Sequence, residues 1–568
     1  MSQTNSTKEL LAQIKDLEIK IKQLKDHKKY GLVWEQKPED VVLKCEENIP
    51  VLKEVKNRKI VTDNLEPSNL LIEGDNYHAL SVLNYTHKEK IDVIYIDPPY
   101  NTGATDWKYN NDYVDSNDQW RHSKWISLMR NRLKLARNLL TEKGVIYCAI
   151  DHYELFGLGL LCDEIFGENN RLGVITVVHK PEGRQFANFF SPSNEFMLVY
   201  AKNKSVAELN QVILDEEQKE RFSEQDEKGS FYLKNFIRLT DGKYSLRENS
   251  PEGFYPIYVS EDLSQFSLEK LKGYIPVFPI TDRNVERTWK TFGDTFIEKV
   301  KGGNIIAKNE NGKINIYEKL REDQVIKTHW SRKEYHAYHF GTKIIEDILG
   351  VKKFDFPKSL NLIIDILKLS TKPDSIILDF FAGSGTTGHA VLELNKQDNG
   401  NRKFILSTNN ENKICEEVTY ERVKRVINGY KNKKGEKVQG LGGNLSYYKT
   451  DLVNTEKLHV VSDEARIKVT YQAGEMIAVR EDTLDEAEKN EWWQIFTGNG
   501  KITAIYFKEN KERLQELINI LEKKNMKTVL YIFGWGKNEY RNEYSTKHIK
   551  IEDIPEPILE VYKEINRL

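Results

Sequence analysis

The stretch Ile91-Asp92-Val93-Ile94-Tyr95-Ile96-Asp97-Pro98-Pro99-Tyr100-Asn101-Thr102-Gly103 decides how this chain is read. It opens as a β-branched apolar run of the kind buried on both faces of a sheet. The run stops at an acid and two prolines, because proline has no N–H to give a ladder and fixes its own φ. One carboxylate, two rigid residues and one aromatic ring are thereby presented together at the carboxyl end of a strand. In open α/β sheets that edge is where ligands bind.

Working outward, the flanks carry an α/β rhythm. Leu71 to Asn76 reads as a strand ending in Gly-Asp, and a helix through Ala79, Leu80 and Leu83 follows. Trp125, Leu128, Met129, Leu133, Ala136, Leu139 and Leu140 fall on one helix face. Gly144 sits where a helix stop is expected, and Val145 to Ile150 is the next strand. Between roughly 176 and 340 the rhythm weakens into charged and aromatic sequence that looks inserted, although Val174–Val178 and Phe196–Tyr200 read as strands. The scaffold then resumes with an amphipathic helix over Ser359 to Leu369, a strand over Ser375 to Phe380 and a strand at Phe404 to Leu406. Strands in alternation with helices predict a parallel sheet with right-handed crossovers. Beyond about 445 a strand, a helix through Leu514, Leu517, Ile518 and Leu521, and a second strand predict a separate small βαβ domain.

Length and composition set the frame. A chain of 568 residues holds two to four domains. The net charge of −2 gives no global basic signature, but a neutral total leaves room for a local basic groove. Cys45, Cys148, Cys162 and Cys415 are scattered, without metal-ligand spacing or a disulfide framework, and read as reduced core residues. With no apolar signal segment and no run of membrane-spanning length, a cytoplasmic protein with no membrane partner is expected. At the N-terminus, Leu10, Ile14, Leu17, Ile21 and Leu24 form a heptad seam. Such a helix either packs on its own domain or pairs with a second copy.

A second loop completes the pattern. Asp379-Phe380-Phe381-Ala382-Gly383-Ser384-Gly385-Thr386-Thr387 is a strand, glycine turn and helix start, where free N–H groups and close backbone approach suit a ligand. Taken only as Gly383, Gly385 and Gly388 it also fits a dinucleotide fingerprint.

Asp97-Pro98-Pro99-Tyr100 resembles the Asp-Pro-Pro-Tyr motif of DNA amino-methyltransferases, and the Asp379–Thr387 string resembles their S-adenosylmethionine motif. The order, acidic loop first and glycine loop far later, matches the β class of that family. Phe354 to Ser359 is similar to the family's Pro-Lys segment, and Asn194 to Asn203 to its later strand motif. With its leading helix and its two extra regions, the whole chain resembles a Type III restriction–modification methylation subunit.

That resemblance implies an α/β fold: a Rossmann-like S-adenosylmethionine-dependent methyltransferase core with an inserted target-recognition domain and a small C-terminal α/β domain. The corresponding divisions are 1–40 for an N-terminal helix that packs on its own domain or dimerises, 41–175 with 341–444 for the core, 176–340 for target recognition and 445–568 for the C-terminal domain. Asp97, Pro98, Pro99 and Tyr100 are the implied catalytic group. Asp75, Lys358, Asp379, Phe381, Gly383, Ser384, Gly385 and Thr386 are the implied cofactor contacts, although Asp75 also suits an Asx-turn. The family's ribose-holding acid is late here or replaced by Asn410.

The implied reaction is N6 methylation of adenine at a short site in double-stranded DNA. Asp97 and the Pro98 carbonyl would accept the amine hydrogens, and Tyr100 would stack on a flipped base. A second aromatic would come from Phe189, Phe190 or Phe196. Lys180 and Arg184 are candidate DNA contacts, and the Lys and Arg residues of 284–343 candidate phosphate contacts. Asp151 and His152 suit a loop start more than catalysis, and Trp492 and Trp493 a core or interface. The implied partners are DNA, a second copy, and a restriction subunit supplying the ATP-driven motor and nuclease, since no G-x-x-x-x-G-K-[ST] loop occurs. The alternatives are N4-cytosine methylation, a recognition scaffold for a restriction partner, and a nicotinamide-dependent oxidoreductase, which has no need of an Asp-Pro-Pro-Tyr corner.

Overall fold

In the computed structural model the described residues are 37–63, 68–101, 121–183, 189–210, 221–240, 242–321, 326–456, 458, 461–534 and 544–567. The N-terminal heptads, Thr102, Gly103 and Arg184 lie outside them.

Ten strands make the central sheet: β1 (Asn48–Glu54), β2 (Ser68–Glu73), β3 (Ile91–Ile96), β4 (Leu140–Ile150), β5 (Arg171–Val178), β6 (Asn194–Ala201), β7 (His329–Trp330), β8 (Ile376–Asp379), β9 (Lys403–Thr408) and β10 (Asn444–Asn454). Their spatial order is β1-β10-β2-β9-β8-β3-β4-β6-β5-β7. The block from β10 to β4 is parallel throughout. β1 and β6 run antiparallel to their neighbours, so the sheet is mixed rather than parallel as expected.

β3 and β8 lie side by side; from β3 the chain winds toward β4, and from β8 toward β9. Here the winding reverses, and the crevice outside the carboxyl ends of two such strands is open to a ligand. Alternate side chains of β3 supply both faces: Ile94 and Ile96 enter one core, Val93 and Tyr95 the other. The first face is covered by α1 (Asn76–Thr86), α2 (Arg121–Leu139) and α3 (Leu155–Phe166). α4 (Leu360–Ser370), α5 (Thr386–Asp398) and α6 (Tyr420–Asn428) cover the second. In α2 the predicted stripe is buried from Trp125 to Leu139, and Ser359 caps α4 by accepting the Leu362 N–H.

Three boundaries differ from the sequence expectation. α2 ends at Leu139 and β4 begins at Leu140, so Gly144 lies inside a strand instead of ending a helix. The β3–β4 register shifts there, and a Cβ on Gly144 would stand 3.0 Å from the Ile91 carbonyl oxygen. Second, β6 and β7 belong to the central sheet, so the inserted unit falls within 202–328 rather than 176–340. It carries a three-stranded and a four-stranded sheet around its own core of Phe236, Trp289, Phe296 and Ile316. Third, β10 carries the central sheet to Asn454, past 444.

The C-terminal region is a five-stranded sheet in which Lys501–Tyr506 and Lys527–Phe533 pair in parallel around the helix Lys511–Lys524, the predicted βαβ unit. Trp493 is buried there, and Trp492 lies under the Lys508 ammonium. All four cysteines are free and buried. Among the described residues no helix is long and apolar enough to cross a membrane, and no group of His, Cys, Asp and Glu could hold a metal.

Candidate active site

Because β2, β9, β8, β3 and β4 are parallel, the loops after Glu73, Thr408, Asp379, Ile96 and Ile150 open on one edge. β6 runs the other way, so its first residues, not its last, reach that edge, with Phe196 opposite Ile150. The segment leading into α4 brings Lys358.

Four side chains meet in one corner. Lys358 Nζ lies 2.6 Å from Glu195 Oε2 and 3.1 Å from Asp97 Oδ1. Tyr100 donates its hydroxyl to Glu195 Oε2 at 3.0 Å, and Lys358 donates to the Tyr100 oxygen. The ammonium also stands 4.7 Å from the centre of the Tyr100 ring. Burial pushes the Asp97 carboxyl above its ordinary range against the pull of Lys358. Burial acts on Glu195 too, but the Lys358 and His179 charges outweigh it and hold Glu195 low. Lys358 is held charged, since its two carboxylates overcome its own burial.

The backbone of the acidic loop is fixed from outside. Trp125 donates its indole N–H to the Pro99 carbonyl at 2.7 Å. Asn101 adopts a left-handed φ of 54° and donates its amide to buried Glu154, whose Oε1 also lies 2.6 Å from His122 Nδ1.

The glycine loop folds on itself. Asp379 accepts the Thr387 hydroxyl at 2.5 Å and the Phe381 N–H at 3.0 Å. Burial pushes its carboxyl up to about 7, the two donors opposing only part of that shift. Gly385 takes a φ of 74° at the start of α5, where a Cβ would press within 3.2 Å of the Thr419 methyl. Beneath the loop lies Arg422, fully buried, donating to the Thr386 hydroxyl at 2.8 Å and the Ser384 carbonyl at 3.3 Å. Burial without a carboxylate partner brings its guanidinium down to about 9.

Between the two loops is a cavity of about 230 Å³. Pro99 from the acidic loop and Phe381 from the glycine loop both line it, with Asp75, Arg132, Thr408 and Asn409. Asp75 caps α1 by accepting the Tyr77 N–H and pairs with Arg132 at 3.2 Å. Arg132 is also held by Glu39 at 2.8 Å, both side chains being buried. Thr408 Oγ1 and Asn409 Oδ1 are buried and have no hydrogen-bond partner among the described residues, a state that a bound hydroxyl-bearing ligand would relieve.

The family described as DNA methylase matches residues 91–422, a span containing both loops and most of the sheet. The chain belongs to the DNA methylase family. It is 34% identical over 399 residues to the Type III restriction-modification enzyme EcoPI Mod subunit of Escherichia phage P1, covering 63% of this chain and 60% of that protein. To the Type II methyltransferase M.KpnI of Klebsiella pneumoniae it is 35% identical over 358 residues, 61% of this chain and 83% of that one. The StyLTI Mod subunit of Salmonella typhimurium is 33% identical over 398 residues, at 64% and 56% coverage. The matched region thus spans little more than half the length of these two Mod subunits.

In this chain, Asp75 and Phe381 of the sequence-derived cofactor group line the cavity, and Asp379, Gly383, Ser384, Gly385 and Thr386 build the loop that carries Phe381. Lys358 joins Asp97 and Glu195 in the corner, outside the cavity lining, because the chain passes the corner before turning into α4. Asn410 lies outside the lining, its side chain accepting the Glu416 N–H, whereas the late acid Glu411 lines the cavity with Thr408 and Asn409. Lys180 is half-buried in a turn whose N–H reaches the Ser193 carbonyl. Phe189 and Phe190 are almost fully exposed, while Phe196 packs on the core. Asp151 closes a local turn by accepting the Tyr153 N–H.

Glu195, Glu154, Arg132, Glu39 and Arg422 were given no role by sequence reasoning. For Arg132 a signal existed: it falls on the buried stripe of α2 beside Met129, Leu133 and Ala136, where a charge has to find a partner.

Proposed function

We propose that this chain is a site-specific DNA methyltransferase that acts on the N6 amine of adenine in double-stranded DNA, as the modification subunit of a Type III restriction–modification system. The observation that carries this reading is the cavity lined by both Pro99 and Phe381, with Asp97 and Tyr100 beside it. Similarity to two Type III Mod subunits supports the system and the partner restriction subunit. The unpartnered Thr408 and Asn409 oxygens fit the ribose of S-adenosylmethionine, and Phe381 and Asp75 fit its remainder. When bound, that cofactor supplies an electrophilic methyl group.

The residues of the chain supply placement and charge. An exocyclic amine is a weak nucleophile because its lone pair is delocalised into the ring. Asp97 accepts a hydrogen bond from one amine hydrogen and the Pro98 carbonyl accepts one from the other, beside the Pro99 carbonyl that Trp125 holds. Both acceptors stabilise positive charge as it develops on nitrogen, and a preorganised group of this kind is worth about 3–4 kcal/mol. The prolines keep them rigid, since misalignment costs rate steeply. A base in duplex DNA reaches this corner only by flipping out, and stacking on Tyr100 offsets part of that cost. Lys180 and Arg184 contact the DNA backbone, residues 202–328 read the site, and residues 1–40 pair two copies of this cytoplasmic protein.

The test is transfer of label from tritiated S-adenosylmethionine to unmethylated DNA by the full-length chain, with the product digested to nucleosides. N6-methyladenine is expected; N4-methylcytosine would replace the adenine assignment. Asp97→Ala should lower kcat by about 10²–10³-fold. Cofactor affinity should change little, because Asp97 is outside the cavity lining. Unchanged turnover in that variant would overturn the reading.

A further inference from the structure

Lys358 poses an electrostatic problem at this corner. An ammonium 3.1 Å from Asp97 neutralises the carboxylate that is to face a nitrogen gaining positive charge. Two carboxylates left alone in so small a space would instead share a proton, and the acceptor would be lost. The third group resolves both difficulties. Glu195 is nearly inaccessible and sits closer to the ammonium, at 2.6 Å, than Asp97 does.

We propose that Glu195 and Lys358 are a positioning pair behind Asp97: Lys358 keeps both carboxylates ionised, and Glu195 absorbs the lysine's charge so that the corner retains one net negative charge for the target amine. The proposal rests on Asp97 being the acceptor of that amine. Neither Glu195 nor Lys358 need touch the base; both act through Asp97 and Tyr100. Glu195 also receives the Tyr100 hydroxyl, which fixes the ring against which the base is stacked. Three separate parts of the chain converge here: the end of β3, the start of β6 and the segment before α4. The other titratable groups facing the corner are Tyr95 on β3, His179 after β5 and Asp379 after β8.

The arrangement makes a signed prediction that simple loss of packing does not. In Glu195→Gln, Lys358 is left to Asp97 alone, so the acidic limb of the pH–rate profile moves to lower pH. In Lys358→Met, Asp97 faces Glu195 without a cation, so the limb moves to higher pH. Each displacement should be about one pH unit or more. The double variant should return toward the wild-type limb. The experiment uses the full-length chain in excess, tritiated S-adenosylmethionine and unmethylated double-stranded genomic DNA, with single-turnover rates read from about pH 5.5 to about pH 9. Glu195→Gln should also lower the rate at neutral pH by about 10²-fold while the KM for DNA changes by less than about 3-fold.

Limbs that move in the same direction, or do not move, in folded single variants overturn the proposal. If Lys358→Met fails to fold, the near-isosteric Glu195→Gln decides by the direction of its limb. A wild-type chain that transfers no label sinks the functional reading and this inference with it. An active wild type with unmoved limbs sinks this inference alone.

Discussion

Asn101, in the loop after β3, and His122, in the first turn of α2, bond the same carboxylate oxygen of Glu154. One buried acid at the start of α3 thus fixes the residue next to Tyr100 and the helix that grips Pro99. Burial raises the Glu154 carboxyl despite these donors. Glu154→Ala leaves the buried Asn101 amide without its acceptor, a loss of about 1–3 kcal/mol. The expected outcome is a lower urea midpoint together with a fall in kcat, and Glu154→Gln should recover most of the stability.

Arg132 and Glu39 form a second buried pair, on the cofactor side. Arg132→Met strands the Glu39 carboxylate in the interior and should cost about 3–5 kcal/mol in urea unfolding. Adding Glu39→Gln should restore part of it. Cofactor affinity, followed by calorimetry, should stay low in both, because Asp75 loses the partner that orients it.

Thr408 and Asn409 offer a direct probe of the cavity. Their oxygens have no partner among the described residues, so on the proposed reading the ligand is what they bond. Asn409→Ala should therefore weaken S-adenosylmethionine binding by about 3–10-fold, equivalent to roughly 0.7–1.4 kcal/mol. Stability of the free protein should hold or rise. Equal destabilisation of the free protein would mean that Asn409 already has a structural partner.

Asp379 gives the chain a titration of its own. Its carboxyl moves from an ordinary 3.8 to about 7 on folding, so the folded state holds a proton that the unfolded state releases between those values. The resulting stabilisation is whole below pH 3.8 and is lost as pH rises through about 7. Relative to Asp379→Asn, the wild type should lose up to about 4 kcal/mol of stability between pH 4 and pH 7. Urea midpoints of the two proteins across that range check the slope.

The acidic loop and the glycine loop were both legible in the sequence because their residues act locally. Two successive prolines cannot continue a central strand such as β3, and Gly385 needs a left-handed φ that its own sequence context announces. Glu195 and Lys358 act through distant partners, and nothing adjacent to them specifies Asp97. The reversed direction of β6 was hidden for the same reason, since strand direction is a property of pairing and not of composition. Gly144 misled because one glycine serves both a helix stop and a bulge, and the β3 register decided between them.

The reversal of β6 reaches beyond the corner. Its last residue, Ala201, leaves the sheet on the side remote from Asp97, and the chain returns through the short outermost strand β7. The two small sheets carried between 221 and 321 are therefore an excursion hung from the periphery, its first stem tied to the end of α4 by the Asn210 bonds to Lys368 and Leu369, while Glu195 and Lys358 stand on the two stems that frame it. On the proposed reading, such a cassette can be exchanged or diverge freely, altering which DNA is addressed while the corner behind it stays untouched.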